Sequence, residues 1–149
     1  QGCLFLGRAR GFRALDAAGL IERLPAMVAV QPSGCDPIVR AWESGADAPE
    51  AVTPTYSVAD GILINTPAVR GREILATIRA TGGAALRVDN AAILTARDAM
   101  TARGFVIEPT SAAAVAALPA LRERGDAGAE WVVMLTGSGL KLLSGAPGA

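Results

Sequence analysis

The chain has 149 residues, 51% of them hydrophobic and 19% charged, with 14 basic side chains against 14 acidic ones. That is enough for a domain with a real core, too apolar for disorder, and too evenly charged for a basic nucleic-acid face. With no histidine there is no histidine triad or histidine metal site, no apolar run reaches the length of a membrane span, and Cys3 with Cys35 has neither a metal-ligand spacing nor a disulfide framework, which leaves two free thiols in a reducing cytosol.

The first predicted element is a helix over 4–18, with Leu4, Gly7, Gly11 and Leu15 forming an inward stripe and Gly19 as its C-terminal stop. Met27 to Gln31 is an unbroken apolar run of the kind a buried parallel strand needs. Gln31-Pro32-Ser33-Gly34 breaks it, and a short helix follows over 37–42 with Pro37 at its first position. Residues 44–55 carry no periodicity and are expected to be a loop. A helix over 70–80 places Ile74, Leu75 and Ile78 on one face and ends at Gly82-Gly83. Ala84 to Val88 is a strand. Asp89 caps a helix to about residue 103 with Ile93, Ala96 and Met100 inward, and Gly104 stops it. Phe105 to Ile107 is a short strand, 110–124 an Ala-rich helix disturbed at Pro119, and Trp131 to Leu135 the last strand, before a frayed tail from Ser144 to Ala149. Helix and strand alternate, so the expected fold class is α/β with a mainly parallel sheet and flanking helices. The chain starts at Gln1, inside what reads as a helix entrance, and is read as a fragment without a signal peptide.

Two small-residue turns near the end stand out: Glu108-Pro109-Thr110-Ser111-Ala112-Ala113 and Thr136-Gly137-Ser138-Gly139-Leu140-Lys141. Each follows a short apolar run, where a parallel sheet hands its chain to a helix and backbone can approach a ligand. Glu108 complements the dipole of the helix it precedes, worth ~0.3–1 kcal/mol, and also stands where α/β proteins bind ligands. Ser111 and its neighbouring alanines serve close packing. Thr136 reads locally as a strand-end cap. At the other end, Gly2, Cys3 and Leu4 open a helix whose free amides and dipole favour an anion. Locally this is only a helix start, and Ala59-Asp60-Gly61-Ile62 is only a surface turn.

Taken together and in this order, the motifs resemble the C-terminal part of threonine synthases, pyridoxal-phosphate enzymes of fold type II. The segment Leu4, Leu6, Gly7, Arg10, Gly11, Phe12, Leu15, Gly19, Leu20 and Ile21 is similar to the helix that follows the family's phosphate loop, and Val30-Gln31 with Gly34-Cys35-Asp36-Pro37-Ile38 to its VQ…GCxPI segment. The resemblance implies pyridoxal 5'-phosphate as cofactor. It places the amides of Gly2, Cys3 and Leu4 at the cofactor phosphate, Gly61 at the ring edge, Glu108 beside the site and Gly137 in the turn under the ring. It assigns Thr136 the bond to the pyridine nitrogen. A neutral hydroxyl can donate to an unprotonated nitrogen, whereas a carboxylate would hold that nitrogen protonated.

No catalytic residue is assigned within this chain. The family's Schiff-base lysine lies upstream, and Lys141, the single lysine, matches a motif lysine with a structural role; Leu142-Leu143 then departs from the family, where an Asp is usual. No role as a nucleophile is assigned to Cys35. Residues 1–149 are then part of the large cofactor domain of a lyase that converts O-phosphohomoserine and water to threonine and phosphate, with the first half of that protein absent. A small amino-acid substrate is implied, with no nucleic-acid or membrane partner, and relatives are often homodimers. Two readings stay beside it: another fold type II enzyme, either a threonine/serine dehydratase or a cysteine- or cystathionine-synthase-like one, and a non-catalytic module that binds pyridoxal phosphate or a nucleotide. The isolated stretch is expected to be inactive and to expose an apolar sheet edge.

Overall fold

The computed structural model describes residues 2–124 and 130–140 and divides the chain into two compact units. The predicted frayed tail, Lys141 and Leu142-Leu143 lie outside the described residues. Among the described residues, no helix is long and apolar enough to cross a membrane.

The first unit comprises 1–31, 35–54 and 64–86. It holds helix α1 (Cys3–Ala17), most of strand β1 (Val28–Pro32), helix α2 (Pro37–Glu43), helix α3 (Ala68–Ala80) and the start of strand β2 (Ala84–Val88). β1 and β2 pair as a small parallel sheet, joined by a crossover that contains α2 and α3. The predicted strand, loop and helix positions agree to within one or two residues over this unit. α1 and α3 pack together, as do α2 and α3. Leu6, Ile38, Val39, Ile74, Leu75, Ile78 and Ala85 form the core, with Phe5, Ala29 and Trp42 against it. Complete burial of a side chain such as Leu75 or Ile78 contributes about 1.5–3 kcal/mol.

The face of α1 differs from the expected one. Leu4, Gly7, Gly11 and Leu15 are all exposed, while Leu6 and Ala9 are buried. Glycines have no side chain to remove from water, so the hydrophobic drive lies with Phe5, Leu6, Ala9 and Phe12. Polar contacts fix the same face: Arg10 bonds both carboxyl oxygens of Glu73, at 3.0 and 3.2 Å, and Arg13 donates to Thr77 Oγ1 at 3.2 Å. The Cβ of an alanine at Gly83 would run into the Met27 backbone, and the Met27 amide is itself tied to Thr81 Oγ1 at 3.1 Å. Space therefore demands glycine at 83, and a left-handed backbone, φ +64°, favours it at 82.

The second unit comprises 32–34, 55–63 and 87–149. Its described elements are a single 3₁₀ turn (Asp60–Ile62), helix α4 (Asn90–Thr101), helix α5 (Pro109–Ala116) and helix α6 (Leu118–Glu123). Asp89 caps α4 as expected, its carboxyl accepting from the Ala92 amide at 2.7 Å. The helix predicted over 110–124 is two helices that break at Ala117, with Pro119 in the first turn of the second. Proline removes a donor there and starts a helix more readily than it continues one. α4 packs on α5 through Ile93 and the small side chains Ala112 and Ala113, all essentially inaccessible.

Two predicted strands do not form ladders. Of 105–107 only Ile107 pairs, as an isolated antiparallel bridge to Ser138, and 131–135 forms no ladder among the described residues. An apolar run defines a willing strand, but the ladder requires a neighbour. Phe105, Val106, Val132, Met134, Leu135 and Leu140 are exposed in this unit. The expected apolar exposure is therefore present, on irregular chain and not on a sheet edge.

Candidate cofactor site

The start of α1 is built for close backbone approach. Gly2 is its N-cap with φ +79°, a conformation that side chains other than glycine's rarely adopt, and a Cβ there would also strike Ile74 Cδ1. The Leu6 amide returns to the Gly2 carbonyl at 2.9 Å, so the helix begins at once. Amides of the first turn, among them those of Cys3 and Leu4, have no carbonyl one turn earlier to bind. No acidic side chain occupies that turn, and Cys3 and Leu4 are exposed. An exposed helix start with no carboxyl group in its first turn matches an anion.

The 59–62 turn belongs to the second unit. Ala59 is completely buried, and a Cβ on Gly61 would come within 3.0 Å of Thr110 Oγ1 and 3.3 Å of its Cγ2. Gly61 therefore lets the turn lie against the start of α5. A clamp that the sequence reading missed fixes its position. The Asn90 side-chain carbonyl accepts from Ser57 Oγ at 2.9 Å and from the Val58 amide at 3.0 Å, and Ser57 Oγ accepts from the Ala59 amide at 3.1 Å. The asparagine directly after the Asp89 cap was the available signal.

The two late motifs meet in the second unit. The Glu108 amide donates to the Gly137 carbonyl at 3.1 Å, and the Gly139 amide to the Val106 carbonyl at 3.0 Å. Glu108 is the N-cap of α5 with extended backbone and no side-chain capping bond. Its side chain lies over Gly137, where any Cβ would collide with Oε1, Cδ and Cγ. Gly137 is thus required by space, not by a left-handed backbone. Thr136 is exposed at the lip of an open groove lined by 104–107 and 135–138.

Ser111 does more than pack, contrary to expectation. It is 1% exposed, and its Oγ accepts from the Gly137 amide at 2.8 Å, lies 3.3 Å from the Gly137 carbonyl and 3.5 Å from Thr136 Oγ1. A serine among alanines reads as a small residue, which is why its hydroxyl was overlooked. Cys35 is buried, and burial first, then the Asp36 charge, pushes its thiol up against a smaller opposing pull from Arg40. That is the reverse of what a nucleophile needs.

Comparison with known proteins gives these turns a context. The profile of the family described as pyridoxal-phosphate dependent enzyme matches residues 1–137, and the chain belongs to that family. Its fold and cofactor class are therefore those of the fold type II enzymes. More particularly, it is 39% identical over 129 residues to the threonine synthase of Methanosarcina acetivorans, covering 85% of this chain and 32% of that one. It is 33% identical over 135 residues to the threonine synthase of Methanocaldococcus jannaschii, covering 89% and 33%. The chain thus spans about a third of the length of the curated relatives it matches. Among solved structures it is similar to the T.th. threonine deaminase, with TM-score 0.64 and 26% identity over 83% of this chain and 42% of that one. Maize serine racemase shares the fold, with TM-score 0.51 and 21% identity over 73% of this chain and 31% of that one.

Proposed function

We propose that this chain is part of the cofactor domain of a threonine synthase, a lyase that converts O-phosphohomoserine and water to threonine and phosphate. The observation that carries this reading is the exposed, neutral Thr136 hydroxyl on a turn that Glu108, Ser111 and Gly137 hold in place, in a chain whose relatives include several named threonine synthase. When bound, pyridoxal phosphate supplies an electron sink for charge that develops at the substrate Cα.

The residues present fit that group chemically. The Gly2 N-cap and the amides of Cys3 and Leu4 would hold its phosphate without a competing carboxyl group in the first turn. Gly61 would keep backbone at the ring edge, with Glu108 beside the site. Thr136 would donate its proton to the ring nitrogen and, being neutral itself, would leave that nitrogen unprotonated. The lysine that carries the cofactor would come from chain N-terminal to this stretch.

The test is to supply the full-length protein with O-phosphohomoserine and measure threonine and inorganic phosphate. Equal release of both supports the reading. Formation of 2-oxobutyrate from threonine as the sole activity overturns it in favour of a dehydratase, the alternative that likeness to the threonine deaminase structure supports.

A further inference from the structure

We propose that Asn90 is a positioning residue that holds the backbone around Gly61 where it can meet the cofactor's ring edge. The inference rests on the cofactor reading above. Gly61 is exposed, but the chain that leads to it is buried, with Ser57 at 3% and Ala59 at 0% exposure. Polar groups buried there need partners within the protein. Asn90 supplies them. Its Oδ1 accepts from the Val58 amide at 3.0 Å and from Ser57 Oγ at 2.9 Å. Both directions are fixed. A backbone N–H can only donate, so the Val58 bond identifies Oδ1 as the acceptor, and the Ser57 proton then points at it. A Ser57 lone pair accepts from the Ala59 amide at 3.1 Å. The Ala59 carbonyl in turn accepts from the Ile62 amide at 3.2 Å, across Asp60 and Gly61.

The bonds therefore run without a gap from the first turn of α4 to both flanks of Gly61. A Cβ on Gly61 would meet Thr110, and the Gly137 amide is bonded to Ser111 at 2.8 Å, so the two turns rest on adjacent residues at the start of α5. α4 packs against α5. Asn90 on one helix and Ser111 on the other thus hold the Gly61 turn and the Thr136 turn relative to each other. A flat ring that touches both turns binds more tightly when their spacing is set beforehand. Capping α4 is not what Asn90 is for. That role belongs to Asp89, whose carboxyl accepts from the Ala92 amide at 2.7 Å.

The experiment titrates the full-length protein, freed of cofactor, with pyridoxal 5'-phosphate and follows the absorbance band of the bound form, with urea midpoints measured beside it. N90A is expected to weaken affinity about three- to tenfold. N90D keeps the acceptor and is expected to stay within about twofold of wild type. D89A removes the cap of the same helix and leaves the bonds to 57–59 in place; it is expected to lower the urea midpoint with affinity again within about twofold of wild type. G61A pushes the turn off Thr110 and is expected to weaken affinity, and N90A added to it is expected to weaken affinity by less than about a further twofold. S57A removes only the hydroxyl between Asn90 and the Ala59 amide; it is expected to weaken affinity about two- to threefold and carries the test if N90A does not fold. Wild-type affinity in N90A overturns the inference, as does a loss in D89A equal to that in N90A, or an N90D as weak as N90A. A wild type that forms no cofactor band defeats the cofactor reading and this inference with it. Unchanged affinity in G61A defeats the ring-edge role of that turn, and the Asn90 role falls too. A normal wild-type band and a weakened G61A beside an unaffected N90A defeat the Asn90 role alone.

Discussion

Alanine at position 137 is the most direct test of the contact between the two late motifs. Its Cβ would occupy the space of Glu108 Oε1, Cδ and Cγ. The turn has little room to retreat, because the 137 amide is held by Ser111 at 2.8 Å and the carbonyl by the Glu108 amide at 3.1 Å. The Glu108 side chain must therefore swing out. Overpacking of this kind costs about 1–3 kcal/mol. Against it stands the smaller conformational entropy of the unfolded alanine chain, about 0.4–1 kcal/mol, because the backbone here is not left-handed. The expected net loss is about 1–2 kcal/mol. Shortening the obstacle should remove it: in an E108A background, G137A should cost nothing or stabilise slightly. Urea midpoints of the wild type, both single variants and the double variant measure the coupling. Equal costs of G137A in both backgrounds would refute the claim that Glu108 is what demands glycine at 137.

Two further perturbations follow from the remaining polar contacts. N90A removes the acceptor for Ser57 Oγ and the Val58 amide, and is expected to cost about 1–3 kcal/mol. Faster amide exchange concentrated at 56–62 should accompany that loss, and unchanged exchange there would count against the clamp. The Cys35 thiol is raised by burial and by Asp36, so its proton is held more tightly in the folded state than in the unfolded one. Stability from this group is complete below the ordinary thiol value of 9.0 and falls as pH rises above it, since the unfolded chain ionises first. C35A should flatten that alkaline decline in urea midpoint, and a decline of equal slope in both proteins would reject the assignment.

Much of the fold was legible because the sequence marks helix ends strongly. The stop at Gly19 is a case in point: the Leu20 amide reaches the Leu15 carbonyl and the Gly19 amide that of Asp16, both at 2.9 Å, around a glycine at φ +68°. β1, α2, α3, β2 and α4 lay within a residue or two of their predicted bounds for similar reasons. What failed depended on partners that a linear reading does not display. The α1 stripe through Gly7 and Gly11 counted small residues as buried, yet it is Leu6 that joins the core with Ile74, Leu75 and Ile78 of α3, and Ala9 that is buried beside it on the helix. The segments 105–107 and 131–135 had strand composition without a described neighbour to form a ladder.

At the site the same division holds, and it explains which residues were missed. Gly2, Gly61, Gly137, Glu108 and Thr136 were named through the motifs that resemble those of threonine synthases; by itself Gly2 reads only as a helix start and Gly61 only as a surface turn. The roles of Ser111 and Asn90 were missed, because each works through a bond to a segment more than twenty residues away. Within the second unit those two side chains hold the turns that carry Gly61 and Gly137. Ser111 fixes the amide of Gly137, and Asn90 fixes the approach to Ala59 through Ser57 and Val58. The groups that would face a ligand lie at surface turns, whose backbone has little of its own to hold it in one conformation. The precision such a site needs must then come from polar side chains behind the turns, on the rigid helices α4 and α5. In this chain those positions belong to Asn90, in the first turn of α4, and to Ser111, in the first turn of α5.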